Sequence, residues 1–432
     1  MRVVAFVPVK GKSERIKNKN LRLLDGKELF LHTLEKLVSC NFIDEVFLDT
    51  ESEEIIAIAN EVGCSVLKRN PELANNNTDG NQLFMNEVNS TDADIYIQML
   101  CTSPFIELDT IAKGLVRLEE DSSFDSVVLV KDEKQYTWSE GKSNYDINAI
   151  PNSVDLPSTI IETMGLYIIR KEAALKTQRR VGESPFMLIA SPVEAVDVNW
   201  PEDFKLAELI AAGMREKSRK LLRNLKGMLS SPMLSDILDD LNYPDQIIKG
   251  ISPNISHSKI LGRAKTLKLR RLEDGENFNG IYQALDSYNS IVTDDIIVVE
   301  NELANYAYFG ELNANLAVRS GAGGAIIGGK TRDETEVKGL GFPVFSTGST
   351  CQDVKNRATT ASINKTVTIF GVNVSPDSLI FADGEGVVVV PKEIEDLVIN
   401  EVIKKITTEK KLLVDISLGL DVDEIIEKHG FF

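Results

Sequence analysis

Residues 3–30 read VVAFVPVKGKSERIKNKNLRLLDGKELF. The run 3–9 is apolar and dominated by β-branched residues, which predicts a buried strand, and Pro8 marks its end. A loop follows that carries Lys10, Gly11, Lys12, Ser13, Arg15, Lys17, Lys19 and Asn20. Beyond Asp25-Gly26-Lys27 an apolar pattern predicts a helix over 29–37. A strand, a cationic loop with one glycine, then a helix is how an α/β protein holds the phosphates of a nucleotide. The glycine lets backbone approach the anion, and the cations neutralise charge that spreads during phosphoryl chemistry. The spacing is neither G-x-G-x-x-G nor G-x-x-x-x-G-K-[ST].

Pro8, Lys10, Gly11, Ser13, Arg15, Lys19, Asn20, Leu21, Gly26 and Lys27 stand at the steps of a longer pattern. It runs strand, Pro, x, Arg/Lys, Gly, x, Ser, x, Arg, then Lys-Asn-Leu and Gly-Lys. In this the chain resembles the sugar-activating nucleotidyltransferases, most closely the CMP-sialic acid and CMP-Kdo synthetases. The resemblance implies a Rossmann-like domain: a mainly parallel sheet with helices on both faces. It also implies CTP as substrate, with Lys10, Arg15 and Lys19 as catalytic cations and Gly11, Ser13 and Asn20 at the nucleotide.

The chain has 432 residues, more than one ordinary core accommodates, so two domains are expected. Hydrophobic residues make up 43% and charged residues 26%, as in soluble globular proteins. There is no apolar run of membrane-spanning length and no signal-peptide pattern at the start, which predicts a cytoplasmic protein. A net charge of −18 argues against nucleic acid as a partner, because phosphate backbones need a basic face. Cys40, Cys64, Cys101 and Cys351 are scattered and histidines are few, so neither zinc nor a disulfide framework is expected. Any metal is expected to be a hard cation on carboxylates.

Downstream, strands are expected at 42–49, 64–67, 95–100 and 126–131, and helices at 50–62 and 109–118. The stretch Arg69-Asn-Pro-Glu-Leu-Ala followed by a polar run to Asn81 resembles the family's second motif. Arg69 and Asn81 are then candidates for the base and ribose, with a solvated turn as the alternative. Gln98, Thr102, Ser103 and Pro104 keep the family's Leu-Gln-x-Thr-Ser-Pro segment, implying that Gln98, Thr102 and Ser103 lie near the cytidine. Cys101 stands where the family often has Pro and is read as packing. Residues 132–157 fall where the family embraces its sugar acid, and Met164 stands where Asn is usual.

Asp197 and Asn199 are two apart on an expected strand, which aims both at one face. The family places magnesium-holding carboxylates here, so Asp197 and Asn199 are metal candidates. Pro201, Glu202 and Asp203 read as a helix N-terminus. A helical, cationic passage over 204–229 serves as a linker, giving domains 1–220 and 221–432.

The second half offers Gly310-Glu311-Leu312-Asn313, Gly328-Gly329, Arg332-Asp333, Gly341-Phe-Pro343 and Phe381-Ala-Asp-Gly384. Over 225–405 this series resembles the RraA-like family, which includes class II pyruvate aldolases for 4-hydroxy-4-methyl-2-oxoglutarate. An α/β domain is implied. The aldolase signature is an acid, twenty residues, then Arg-Asp, the spacing of Glu311 and Arg332-Asp333. Asp333 would bind a divalent metal that polarises a 2-keto carbonyl. Arg332 would take the substrate carboxylate in a two-pronged contact. Glu311 would anchor metal-bound water, and backbone N–H groups around Gly310 to Asn313 would face the anion. The base, usual from a neighbouring subunit in the family, is open among Asp415, Asp421, Asp423 and Glu424. Arg332-Asp333 as a salt-bridged turn and Gly328-Gly329 as a tight turn are the alternatives.

Together these readings predict a bifunctional enzyme. One domain loads CMP onto a nonulosonic or ulosonic acid, and the other acts on a 2-keto acid. Magnesium, or manganese, serves both, in a homo-oligomer without nucleic-acid or membrane partners. The alternative is a cytidylyltransferase with a non-catalytic RraA-like oligomerisation or binding domain.

Overall fold

The structure, a computed structural model, describes residues 1–75, 77–418 and 420–429, without the side chains of Glu409, Lys410, Val414 and His429. Two compact units, Met1–Gly213 and Met214–Phe432, are divided within a helix, Pro201–Lys226.

Unit 1 carries β1 (Val3–Pro8), β2 (Glu45–Thr50), β3 (Ser65–Lys68), β4 (Ile95–Met99), β5 (Ser126–Glu133), β6 (Thr159–Arg170) and β7 (Pro185–Ile189). They form one sheet in the order β7-β5-β6-β4-β1-β2-β3. Only β6 runs against its neighbours. All residues of β1 are buried, as its unbroken apolar run requires of a parallel strand covered on both faces. Each Val or Phe withdrawn there stabilises the fold by roughly 1.5–3 kcal/mol. Leu34, Leu37, Ile111 and Leu115 pack on one face of the sheet, and Phe84, Met85 and Val88 on the other. Those side chains come from α1 (Leu29–Val38), α3 (Gly80–Ser90) and α4 (Leu108–Glu120), while α2 (Glu53–Ala59) follows β2. Ser52, not Thr50, caps α2, its hydroxyl accepting from the Ile55 N–H at 3.4 Å.

The chain leaves β1 for β2 and β3 on one side, then returns to place β4 on the other. The carboxyl ends of β1 and β4 therefore flank the switch point, where open α/β sheets bind ligands.

Unit 1 also holds α5 (Lys171–Thr177). Unit 2 begins within α6 (Pro201–Lys226), which α7 (Ser231–Asp240) follows. Its sheet is built from β8 (Ile247–Ile248), β9 (Ser252–Pro253), β10 (Ile260–Arg271), β11 (Ile296–Asn301), β12 (Gly324–Gly328), β13 (Val344–Ser346), β14 (Ala358–Ile363), β17 (Leu379–Ala382) and β18 (Val387–Val390). The order is β8-β18-β17-β10-β11-β12-β13-β9, with β14 also on β10. A small hairpin pairs β15 (Val367–Ile369) with β16 (Val372–Val374). Strands β10 to β13 are parallel neighbours, and the loops after β11 and β12 meet at the start of α8 (Glu311–Ser320). The unit closes with α9 (Glu334–Gly339), α10 (Glu395–Ser417) and α11 (Val422–His429), of which α9 directly follows the loop after β12.

No helix of the described residues is long and apolar enough to cross a membrane.

Candidate functional site

In unit 1 the loop after β1 folds back on the switch point. Asn20 donates its side-chain N–H to the Lys10 carbonyl at 2.8 Å, and its oxygen lies 3.5 Å from the Cys101 sulfur. Asn20 is nearly buried and shapes the loop. Cys101 is packing, as expected; burial pushes its thiol up to about 11. Lys19 donates to the Val198 carbonyl at 2.9 Å. Burial lowers its ammonium from the ordinary range, while Cys101 and Asp197 pull the other way. Arg15 donates to the Asn199 side-chain oxygen at 3.2 Å and lies over the Trp200 ring at 5.2 Å. Lys10, Gly11 and Ser13 lie half-buried along the same loop.

Residues 197–199 are not a strand, contrary to the alternation argument. They run as irregular chain held by the Val198 N–H on the Thr102 carbonyl at 2.8 Å. Asp197 and Asn199 still meet, because the Asn199 amide donates to Asp197 Oδ2. Asn199 thus bridges a carboxylate and a guanidinium. Asp203 accepts the N–H groups of Asn199 and Trp200 at 2.9 and 2.8 Å, the helix-start role read for it.

Asp197 Oδ1 is buried without a hydrogen-bond partner. A bare buried carboxylate oxygen beside a cationic loop fits magnesium, which takes one or two carboxylates and completes its shell with water and phosphate. Asp197 is the residue that would hold it.

The structure places other expected nucleotide residues differently. Arg69 is 4% exposed. Its Nε donates to Asp49 Oδ1 at 2.9 Å and one terminal nitrogen to the Asp49 carbonyl at 2.7 Å, so it is spent inside the protein. Gln98 is fully buried and donates to Glu87 at 2.6 Å. Burial, then the charge of Asp49, holds the Glu87 carboxyl well above its usual range. Asn81 accepts the Arg180 backbone N–H at 3.2 Å at the start of α3. Ser103 is buried under the Thr102 turn. Of the expected set, the structure gathers Arg15, Lys19, Thr102, Asp197 and Asn199 directly, with Lys10 tied in through Asn20.

Sequence reasoning missed two supports. Lys36, on α1, donates to the carbonyls of Pro104 and Ile106 at 2.8 and 2.5 Å and so holds the turn after β4. Burial pushes its ammonium down to about 8. The signal available was a lysine in a helix that is otherwise mostly apolar. Glu51 accepts the Gly11 N–H at 2.7 Å; no local pattern marks it.

In unit 2, Glu311, Arg332 and Asp333 do converge. The Glu311 N–H donates to Asp333 Oδ2 at 3.2 Å, and Arg332 Nε lies 3.5 Å from the same oxygen. A Cβ at position 310 would sit 2.6 Å from Asp333 Oδ2, so only glycine admits this approach. The N–H expected to face a substrate anion therefore already faces a carboxylate. Arg332 also pairs with Asp353 at 2.8 Å, an acid the motif spacing does not mark. Asn313 donates to the Tyr308 carbonyl at 2.6 Å, and Leu312 is 77% exposed. Asp333, partly exposed at the head of α9, is the residue that would hold a metal here. Among the described residues no cluster of three or more His, Cys, Asp or Glu is arranged for a metal, so water and substrate would complete the shell. In the tail, Asp415 pairs with Lys428 at 2.8 Å. Asp421 and Glu424 each accept the other's backbone N–H at the start of α11, at 2.9 and 3.2 Å, so three of the four base candidates have structural partners.

The comparisons agree with both halves. Residues 4–228 match the family described as Cytidylyltransferase, and residues 231–389 match Aldolase/RraA. The chain belongs to the cytidylyltransferase family and carries an RraA-like domain fused behind the transferase domain. It is 28% identical over 204 residues to Protein DlpA of Legionella pneumophila, covering 47% of this chain and 32% of that protein. It thus spans only about a third of DlpA. A Putative 4-hydroxy-4-methyl-2-oxoglutarate aldolase of Halalkalibacterium halodurans is 29% identical over 173 residues, 40% of this chain and 77% of its own. The CMP-N,N′-diacetyllegionaminic acid synthase of Legionella pneumophila is 23% identical over 222 residues, 48% of this chain and 95% of its own.

Proposed function

We propose that this chain transfers CMP from CTP to a nonulosonic or ulosonic acid, releasing pyrophosphate, and that its second unit acts on a 2-keto acid. The observation that carries the first part is the convergence of Arg15 and Lys19 on the segment 197–199, where one Asp197 oxygen is buried without a hydrogen-bond partner. In the transfer, the anomeric hydroxyl oxygen attacks the α-phosphorus as the bond to the β-phosphate oxygen breaks. Such a reaction needs positioning and charge neutralisation rather than a covalent nucleophile. Lys10, Arg15 and Lys19 supply fixed positive charge, and magnesium at Asp197, or manganese in its place, would add the rest. The relative named as a legionaminic acid synthase supports an acid of that class as substrate. The proposed setting is a cytoplasmic homo-oligomer.

The test is incubation with CTP, magnesium and a panel of sialic-, legionaminic- and Kdo-type acids. Pyrophosphate release with at least one acid is expected, and none across the panel counts against the reading.

For the second unit, Arg332 would bind a 2-keto acid's carboxylate and Asp333 would hold a metal that polarises its carbonyl, the same group that nonulosonic and ulosonic acids carry. Such acids are formally pyruvate joined to an aldehyde sugar, which makes the two activities chemically related. A second reading, a non-catalytic oligomerisation or binding domain, is favoured by one observation. Arg332 is already neutralised by Asp333 and Asp353 within the fold. Pyruvate release by wild type but not by Asp333→Ala decides for the enzyme.

A further inference from the structure

The loop that faces the phosphates is not held by its own residues alone. Gly11 donates its N–H to Glu51 Oε1 at 2.7 Å, across a separation of 40 residues. A Cβ at Gly11 would lie 2.8 Å from the Ser52 Cβ, so the loop backbone is packed directly on the turn between β2 and α2. Glu51 in turn is not loose. Its Oε2 is buried without a hydrogen-bond partner and lies 3.9 Å from an Arg69 terminal nitrogen. Arg69 is anchored on Asp49, Asp49 neighbours Glu87, and Glu87 accepts from Gln98 on β4. A chain of charged and polar groups runs from the middle of the sheet outward and ends on the Gly11 N–H.

We propose that Glu51 is a positioning residue for cytidylyl transfer: its carboxylate fixes the backbone of the phosphate-facing loop at Gly11, and Arg69 fixes the carboxylate. The proposal rests on the cytidylyltransferase reading given above. A hydrogen bond to a charged acceptor is roughly twice as strong as a neutral one, so this bond is the stronger partner of the one that Asn20 makes to the adjacent Lys10 carbonyl. A negative charge close to a triphosphate would ordinarily repel it. Arg69, shared between Asp49 and Glu51, offsets that charge in part, so the loop gains an acceptor whose negative charge is reduced. Lys10 adjoins Gly11, and Arg15 leaves the same loop, so their aim depends on the backbone that Glu51 fixes. Where catalysis is mostly orientation, a displacement of about 1 Å costs on the order of 100-fold in rate.

The full chain is tested as wild type, Glu51→Ala and Glu51→Gln, with two readouts. The first is amide hydrogen exchange of the peptide spanning 9–20 without substrate. The second is pyrophosphate release, resolved into kcat and KM for CTP. Glu51→Ala is expected to speed exchange about tenfold or more, as expected for loss of a bond of roughly 1.5 kcal/mol or more to a charged group. It is expected to lower kcat about 10–100-fold with a smaller change in KM. Glu51→Gln keeps the acceptor and should recover most of both. Unchanged exchange and kcat in Glu51→Ala overturns the proposal. Tighter CTP binding in both variants also overturns it, because Glu51 would then be a placeholder that phosphate displaces. If wild type releases no pyrophosphate with any acid, the transferase reading fails, and the exchange arm still decides whether Glu51 holds the loop.

Discussion

Asp197 takes the side-chain N–H of Asn199 on one carboxylate oxygen and keeps the other, buried, without a partner. Leaving a carboxylate oxygen desolvated is costly unless something arrives to meet it. Asn199 hands its own oxygen to Arg15, so one amide ties the proposed metal-holding acid to a cation of the loop after β1.

Asp197→Asn removes the charge and keeps the shape. Pyrophosphate release should fall by about 100–1000-fold, the range seen when a fixed electrostatic contact to transferring groups is lost. Circular dichroism should show the fold retained. Asn199→Asp adds a second carboxylate and should lower the magnesium concentration for half-maximal activity. A magnesium titration of both variants and wild type checks this pair of outcomes.

Arg69→Leu leaves Asp49 and Glu51 without their cation in the interior. Breaking a buried ion pair from one side costs about 3–5 kcal/mol. Arg2 and Glu45 form a mostly exposed pair at 2.7 Å, and Arg2→Ala should cost less than about 1 kcal/mol. Urea unfolding of the two variants compares them directly. Equal losses would mean that Arg69 is not the anchor its burial makes it.

What the sequence made legible follows from how local each cause is. The strand 3–9, the loop behind it and the following helix rest on composition and periodicity, and they stand close to where those predict. The convergence of Glu311 with Arg332 and Asp333 was legible through one spacing. Arg69 was expected at the base and ribose through a motif, and its burial could not be read from that motif. Its burial is decided by Asp49, which lies on a different strand. Residues 197–199 alternate in polarity like a strand, yet no neighbouring strand takes them up, and the Thr102 carbonyl holds them instead. Glu51 sits among other acids at a helix start, and nothing local distinguishes the one that reaches Gly11.

His32 gives a pH test of the core under that loop. Burial, then the charge of Lys27, pushes its imidazole down to about 4, against an ordinary value of 6.5. Its Nε2 lies 2.8 Å from the Leu24 carbonyl and donates there in the neutral form. The unfolded chain takes up a proton near pH 6.5 that the folded chain refuses until about 4. Stability is therefore full above pH 6.5 and falls as pH drops toward 4, by about 3 kcal/mol from this group. His32→Gln, which keeps a donor, should be less stable at pH 7 and show a flatter decline between those values. Denaturant midpoints at pH 7, 5.5 and 4.5 measure the difference between the two proteins, so other titrating groups cancel.

Arg332 in unit 2 lies between Asp333 and Asp353, and the three exposures are similar, so solvent screens the pairs only in part. A 2-keto acid bound through its carboxylate must compete with Asp353 for the guanidinium. Asp353→Asn removes that competing charge while leaving a group that can still hydrogen-bond. With oxalate as a mimic of the pyruvate enolate and magnesium present, calorimetry should find binding tightened about 3–10-fold in Asp353→Asn, as expected for a gain of about 1 kcal/mol at a partly exposed pair. Asp333→Ala should abolish magnesium-dependent binding, because the carboxylate that would hold the metal is gone. If wild type and Asp353→Asn both fail to bind oxalate, Arg332 is a structural ion-pair hub. The second unit is then a scaffold behind a working transferase.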